Sequence, residues 1–512
     1  MYKKFFKSIF TISFFTAISR IFGFIRDILI ARFIGVSIYS DVFFAAFRLP
    51  NFFRRIFAEG AFNSAFIPIF VAKKNQSLNQ GQIFASNIFS LLFVTLLFLI
   101  ILMQIFMPLL MKLLFPGFFD NPIKSDLLIS MSRITICYLL FISLISLMSA
   151  ILNSLNKFGA PSASPIILNI TLIMAILYLS NYMPSYVHAL SWGVFIAGLL
   201  QFICLLIFIK KAGFLLYPKI PNFNNDIKKF FKKLAPAIIG GNVMQINLLI
   251  DSIFASLTLS ALSYLYYADR VNQLPLALIG IAIGVALLPK LSSLINQKKH
   301  EDALKLQNIA IKFGIIMSFP AAIGLILLSN DIIKILFQRG DFDFEDTKNV
   351  AQALSLFAMA LPAYILVKIL EPSFFARQNT KIPMKIAIIC LALNIILNLI
   401  FFKLGYGFHG IIMASIVASY FNLALLFYSL TNRGYFKLID LSLLSFFKLI
   451  TPSIIMALYI IFTINYMEIN NKFSPLSTLI FQIISAILIY IISLFATNLE
   501  LARFQFRKIF SK

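Results

Sequence analysis

Apolar stretches of about 20 residues recur along this chain with only short polar turns between them, and no other feature constrains its fold as much. As a helix, such a stretch crosses the roughly 30 Å of hydrocarbon in a bilayer, where backbone polar groups must be satisfied internally. Spans fall near 8–35, 41–72, 84–107, 127–153, 163–181 and 186–209. A second set falls near 234–258, 262–289, 306–329, 350–371, 383–402 and 408–430, and a last pair near 443–465 and 475–497. Sixty per cent of the 512 residues are apolar, 12% are charged and the mean hydropathy is +0.93. A soluble chain of this length needs far more polar surface to cover its core. The chain therefore reads as an all-α polytopic membrane protein with about fourteen transmembrane helices. The opening MYKKFFKSIFTISFF places lysines before an apolar run, as a signal peptide does. No small-residue cleavage site follows, and Arg20 and Arg26 interrupt the run, so it is read as the start of the first span.

The net charge of +25 is read as topology. A nucleic-acid partner would require a basic face on a soluble domain, whereas these charges sit between spans. With a cytoplasmic N-terminus, the cytoplasmic segments hold most of the 44 lysines and arginines. They include Lys73, Lys74, the run from Lys210 to Lys233, and the tail residues Arg503, Arg507, Lys508 and Lys512. That positive-inside bias puts both termini in the cytoplasm and the number of spans at an even value. The acidic loop GDFDFED (340–346) then faces outward as a solvated surface. Cys137, Cys204 and Cys390 lie far apart inside apolar runs, and the three histidines are isolated, so neither a disulfide framework nor a metal centre is expected.

Spans two and eight resemble each other. FRLP (47–50) is followed by FIPIF (66–70), and DRVNQLP (269–275) by LLPKL (287–291). Six spans lie between them, an even number, so both insert in the same direction. Two parallel six-helix lobes related by an axis along the membrane normal follow, which is a transporter arrangement. The expected organisation is an N-terminal lobe over 1–210, a basic cytoplasmic linker over 211–233, a C-terminal lobe over 234–431, and an extra helix pair with a basic tail over 432–512. The linker's Lys228, Lys229, Lys232 and Lys233 suit either an interfacial helix on anionic membrane lipid or ordinary positive-inside anchoring. Pro50, Gly60 and Pro68 in span two, and Pro275, Gly280, Gly284 and Pro289 in span eight, mark either close helix packing or hinges.

The spans carry charges where charges are expensive: Arg20, Arg26, Arg48, Arg54, Arg55 and Arg270, with Asp27, Asp41, Glu59, Asp251 and Asp269. Each intramembrane arginine costs at least roughly 2.5–3.5 kcal/mol near a helix centre, so these groups face a hydrated cavity or find partners. Internal pairing is one reading, with Arg55 four residues from Glu59 and Arg26 meeting Asp269 across helices. An anionic substrate cavity is the other. Arg20 and Asp27 are seven apart on one helical face, as are Arg48 and Arg55, with Pro50 between them. Guanidinium clusters suit bidentate recognition of phosphate.

SRIFGFIRDILIARFIG (19–35) and SDVFFAAFRLPNFFRRIFAEGAFNSAFIPIF (40–70) resemble the opening of the MurJ (MviN) lipid II flippases. YYADRVNQLPLALIGIAIGVALLP (266–289), LFQRGDFDFEDT (336–347) and EPSFFARQNTKIPMKIAI (371–388) resemble later family segments. The resemblance covers nearly the whole chain. It implies a fold of the multidrug/oligosaccharidyl-lipid/polysaccharide exporter type, two lobes around a cationic cavity, and an extra helix pair bordering a groove for a polyprenyl tail. It implies movement of lipid II, an undecaprenyl-diphosphate-linked disaccharide-pentapeptide, from the cytoplasmic to the outer leaflet of a bacterial inner membrane. The family's essential arginines match Arg20, Arg26, Arg54 and Arg270, and Ser19, Asp41, Asn51, Arg55 and Glu59 fall on its motif positions. The arginines are thereby assigned to the diphosphate and to substrate carboxylates, and the acidic residues to orientation and gating.

Some family members are thought to bind sodium through an aspartate in helix seven and an Asn/Asp pair. Asp251 retains the first element, and Asn394 and Asn398 have helical spacing, but Asn398 stands where the second carboxylate would be. Hydrogen bonding between helices is the other reading of these asparagines. No other cofactor is expected. Rival functions are a flippase for another polyprenyl-linked oligosaccharide and a drug/cation antiporter, which an arginine-rich cavity disfavours. An enzyme would need a nucleophile–base pair or carboxylates gathered on one face, and the sequence supplies neither.

Overall fold

A computed structural model describes residues 2–58, 61–219, 223–241, 243–436, 443–470 and 474–497. Every regular element among them is helical. In chain order the helices are α1 (Tyr2–Ile34), α2 (Ile38–Ala58), α3 (Ala61–Gln76), α4 (Leu78–Ile105), α5 (Met107–Leu114), α6 (Pro122–Ile136) and α7 (Tyr138–Ser154). Next come α8 (Gly159–Leu177), α9 (Tyr186–Lys211), α10 (Asn225–Gly241), α11 (Val243–Ser256), α12 (Ala261–Pro275) and α13 (Ala282–Asn296). The series ends with α14 (His300–Leu327), α15 (Ser329–Phe337), α16 (Phe344–Phe375), α17 (Lys381–Lys403), α18 (Gly407–Asn432), α19 (Leu443–Asn470) and α20 (Pro475–Thr497). Short polar turns start several of them. Asn121 accepts from the Ile123 and Lys124 N–H groups, with Pro122 in the first turn of α6, and Asp343 and Asp346 form a reciprocal capping box on α16.

Among the described residues, 11 helical segments are long and apolar enough to cross a membrane. The protein is a multi-pass membrane protein. Three further segments make up the expected total of about fourteen: α1, the α2–α3 pair and the α10–α11 pair. Each of the three includes residues outside those described in full, and α1 and α2 also carry the intramembrane arginines Arg20, Arg26, Arg48 and Arg54. Span eight is also interrupted, since a π-helical turn over Leu276–Ile281 follows Pro275. Proline lacks the N–H of a regular ladder, and such turns absorb the lost register.

The chain forms two compact units. One comprises Met1–Ser263 with Arg339–Phe342, the other Tyr264–Gln338 with Asp343–Lys512. In the first, stacked phenylalanines (Phe62, Phe66, Phe70 and Phe84, with centroids 5.3–5.6 Å apart) join α3 to α4. Phe214 and Phe230 meet this stack edge-on. Buried polar groups cross between helices: Thr135 Oγ1 donates to the Ala46 carbonyl at 2.8 Å, and Tyr138 OH donates to Gln201 Oε1 at 3.1 Å. Helix α11, placed by sequence in the second lobe, packs within this unit against α2 and α5.

The second unit is centred on α14 and α16, whose buried Ile315, Leu361, Ile365 and Ile369 share one core. Gly280 and Gly284 lie against α16, where a Cβ on Gly284 would come within 2.6 Å of the Lys368 carbonyl oxygen. This is the close-packing reading of those glycines. The extra pair packs on the same core, α19 against α14 and α20 against α15.

The acidic loop departs from the solvated surface expected of it. Asp341, Asp343 and Glu345 are exposed, but Phe342 is buried and the Asp341 N–H donates to the Arg32 carbonyl at 2.9 Å. Gly35 and Gly340 both have positive φ, +59° and +63°. A Cβ on either would collide with backbone, Gly35 with Asp341 and Gly340 with Arg32. The loop therefore seats on the C-terminal end of α1, a contact that only these two glycines permit.

Candidate functional site

Arg26 and Asp27 lie in mid-α1 on the side that packs against α8. Both are buried, at 5% and 2% exposure. Arg26 Nε and Nη2 donate to Asp27 Oδ1 at 3.0 and 2.7 Å, and Nη1 donates to Asn169 Oδ1 at 2.9 Å. Asn169 in turn donates to the Ser19 carbonyl at 2.9 Å, so Ser19 enters through its backbone. Asp269, which the sequence reading set opposite Arg26, accepts from Gln273 within the second unit. Arg20 differs. It is exposed and makes no hydrogen bond or ion pair among the described residues, although Asp27 lies two turns along the same helix.

Helix α2 carries the next group. Arg48 Nη2 donates to the Leu248 carbonyl of α11 at 2.8 Å, and Arg54 Nε donates to Asn51 Oδ1 at 3.1 Å. All three polar side chains are partly exposed. Arg55 and Glu59, read as a possible pair, lie outside the residues whose side chains the structure describes.

Asp41, at the start of α2, is the most enclosed member of the set, at 1% exposure. Its Oδ2 accepts from Lys124 Nζ at 3.0 Å, and its Oδ1 accepts from Ser263 N and Oγ at 3.1 and 2.7 Å. Lys124 also lies 3.8 Å from the centroid of the Phe118 ring. Taken together, these contacts tie the first turns of α2, α6 and α12 into one junction. With so many donors on one carboxylate, Asp41 acts here as a structural tie.

In the second unit, Arg270 Nη2 donates to Tyr266 OH at 3.0 Å, and its guanidinium lies 5.0 Å from that ring's centroid. Six residues later comes the π-helical turn. Asn398 donates to Asn394 Oδ1 at 2.8 Å, and Asn394 donates to Ser415 Oγ of α18 at 3.3 Å. Asp251 belongs to the first unit and accepts from Asn247 at 3.1 Å. Through these bonds the asparagines link α17 to α18. Among the described residues no group of three or more His, Cys, Asp or Glu side chains is placed to hold a metal.

Asn169, Lys124, Ser263 and Tyr266 complete these clusters and escaped the sequence reading. Asn169 carried the one usable signal, a lone amide inside PIILNITLIM. Lys124 lay in a segment read as loop. The combined chemistry is that of planar guanidinium donors presented from helices, suited to phosphate or carboxylate, with no nucleophile–base pair beside them.

The family described as Lipid II flippase MurJ matches residues 30–498. The chain belongs to the MurJ family. A probable lipid II flippase MurJ of Rickettsia prowazekii (strain Madrid E) is 42% identical over 423 residues, covering 82% of this chain and 83% of that protein. One from Buchnera aphidicola subsp. Schizaphis graminum (strain Sg) is 35% identical over 517 residues, covering 99% of each. A structure of lipid II flippase MurJ in an inward closed conformation superposes with a TM-score of 0.82 at 29% identity, covering 96% of this chain and 99% of that one. An inward-facing MATE-family transporter of the MOP superfamily superposes with a TM-score of 0.66 at 12% identity, over 81% of this chain and 95% of that one. That likeness shows the shared fold. The MurJ family match takes in Asp41, Arg48, Asn51, Arg54 and Arg270, while Arg20 and Arg26 precede it and fall within the Buchnera alignment's near-complete coverage.

Proposed function

We propose that this protein moves lipid II from the cytoplasmic to the outer leaflet of the bacterial inner membrane during peptidoglycan synthesis. The two units expose the carrier alternately to each side, with both termini in the cytoplasm. Arg20, Arg48, Arg54 and Arg270 bind the diphosphate and headgroup carboxylates, while Arg26 and Asp41 hold the helices that present them. The polyprenyl tail stays in lipid, and only the polar headgroup needs a path through protein.

Arg20 carries this reading. It is a guanidinium in the middle of a membrane helix, exposed and unpaired among the described residues. Such a group costs at least roughly 2.5–3.5 kcal/mol against lipid, and an anionic ligand in a hydrated path offsets that cost. An organic cation would be repelled by it, which argues against drug export despite the shared fold. A different polyprenyl-diphosphate-linked oligosaccharide would meet the same arginines, so the headgroup decides between substrates.

The test is complementation of cells depleted of their own lipid II flippase, with outer-leaflet lipid II quantified and insertion checked by blot. Wild type should restore viability and outer-leaflet lipid II. A well-inserted wild type that restores neither would point to another lipid-linked substrate.

A further inference from the structure

One cavity in the second unit is lined by no arginine. It has a volume of about 490 Å³ and lies open to the surface among the N-terminal halves of α15, α16 and α18. That volume is within the range of small-ligand sites. Lys348, Gln352 and Ser355 project into it from one face of α16, and His409 from α18, over an apolar floor that includes Leu356 and Met413. The wall is partly organised already, because His409 Nε2 donates to Gln352 Oε1 at 3.0 Å. The His409 ring also stacks on Phe408 with centroids 3.9 Å apart. Lys348 makes no ion pair among the described residues, and no carboxylate lines the cavity.

One ammonium, an imidazole, amides and hydroxyls over a small apolar floor describe a particular ligand chemistry. It needs one anionic group, amide hydrogen-bonding capacity beside it, and a compact apolar side chain. A terminal carboxylate on a peptide ending in small residues has all three. A bare phosphate uses only the ammonium and leaves the floor uncovered. A nucleotide or sugar leaves the floor wet.

We propose that this cavity is a docking site for the free C-terminal carboxylate of the peptide carried on the transported lipid. Lys348 binds the carboxylate, Gln352 and Ser355 bind the last amide, and Leu356 and Met413 cover the terminal side chain. This assignment rests on the lipid II reading. In the proposed topology the cavity lies at the outer ends of α15, α16 and α18, so it receives the peptide after the headgroup has crossed.

The full-length protein in lipid nanodiscs would be titrated with a fluorophore-labelled pentapeptide ending in two alanines. The probe would be used as the free acid and as the C-terminal amide. The free acid should bind the wild type at least tenfold more tightly than the amide. Lys348→Gln should remove most of that preference, and His409→Ala should weaken acid binding severalfold, with thermal unfolding unchanged for Lys348→Gln. Equal binding of acid and amide, or a Lys348→Gln variant that keeps the preference, overturns the assignment. Competition by intact lipid II but not by undecaprenyl diphosphate supports the lipid-linked peptide as occupant, and competition by free peptide alone overturns it. A wild type that flips lipid II yet shows no acid preference loses only this site. One that prefers the acid but flips no lipid II overturns the substrate reading instead.

Discussion

Arg20 and Arg26 stand less than two turns apart on one helix, and their surroundings differ. Arg26 is buried against Asp27 and Asn169, contacts that join α1 to α8. Removing one partner of a buried ion pair strands the other charge and costs about 3–5 kcal/mol. Arg26→Ala is therefore expected to lower the unfolding temperature markedly in detergent, and its loss of transport to follow its loss of folded protein. Arg20→Ala removes an exposed side chain, and stability should stay within about 0.5 kcal/mol of wild type. Its lipid II translocation should nevertheless fall more than tenfold at normal membrane levels. Wild-type transport by Arg20→Ala would remove the substrate role assigned to that residue. The Asp41–Lys124 pair follows the same physics. Asp41→Ala and Lys124→Met should each destabilise by about 3–5 kcal/mol, and the double variant by clearly less than their sum, because it leaves no stranded charge. Additive losses in thermal unfolding would show that the two side chains are not coupled.

At the scale of elements, the seat of the 339–342 loop on the end of α1 depends on backbone rather than side-chain chemistry. Gly340 has φ +63°, and its missing Cβ leaves room for the Arg32 carbonyl oxygen. Gly434 has φ +66° with open space around it. Alanine at Gly434 meets only the dihedral penalty of about 1–2 kcal/mol, whereas at Gly340 the collision adds to it. Gly340→Ala should thus lower the unfolding temperature more than Gly434→Ala, and equal effects would mean that the loop does not hold this seat. The sequence reading could not anticipate that contact. It depends on two loops some 300 residues apart, and the acidic residues around Gly340 pointed to solvent. The helices themselves were legible, because 20-residue apolar runs leave the backbone no alternative in lipid. Span two and span seven were harder, since each carries the charged residues, proline or glycine that interrupt an apolar run. The arginines were visible by their cost in lipid, but their division into structural and exposed groups was not. The partners behind it are Asn169, visible only as a lone amide in an apolar run, and the Leu248 carbonyl, which no residue type announces.

Parity governs the whole molecule. The eleven clearly apolar segments are an odd number and would leave the termini on opposite sides. Adding α1, α2–α3 and α10–α11 makes the total even and returns both to one side, as the distribution of the 44 basic residues predicts. The pair α10–α11 begins with a cluster of lysines, of which Lys228, Lys229 and Lys232 are exposed near the start of α10. If α10–α11 lay on the surface, every later loop would exchange sides, and the cavity at Lys348 and His409 would open to the cytoplasm. Reporter fusions at Gly213 and Ser260 flank this pair and isolate its crossing. Crossing predicts an inside-active fluorescent fusion after Gly213 and an outside-active phosphatase fusion after Ser260, with inside activity again after Lys298 and Gln378. The same side for Gly213 and Ser260 would invert the second unit. The positive-inside rule opposes that outcome, because it would send Lys290, Lys298, Lys299, Lys381 and Lys385 outward together. A mapped alternation at these four positions would therefore fix the orientation of the second unit independently of any transport measurement.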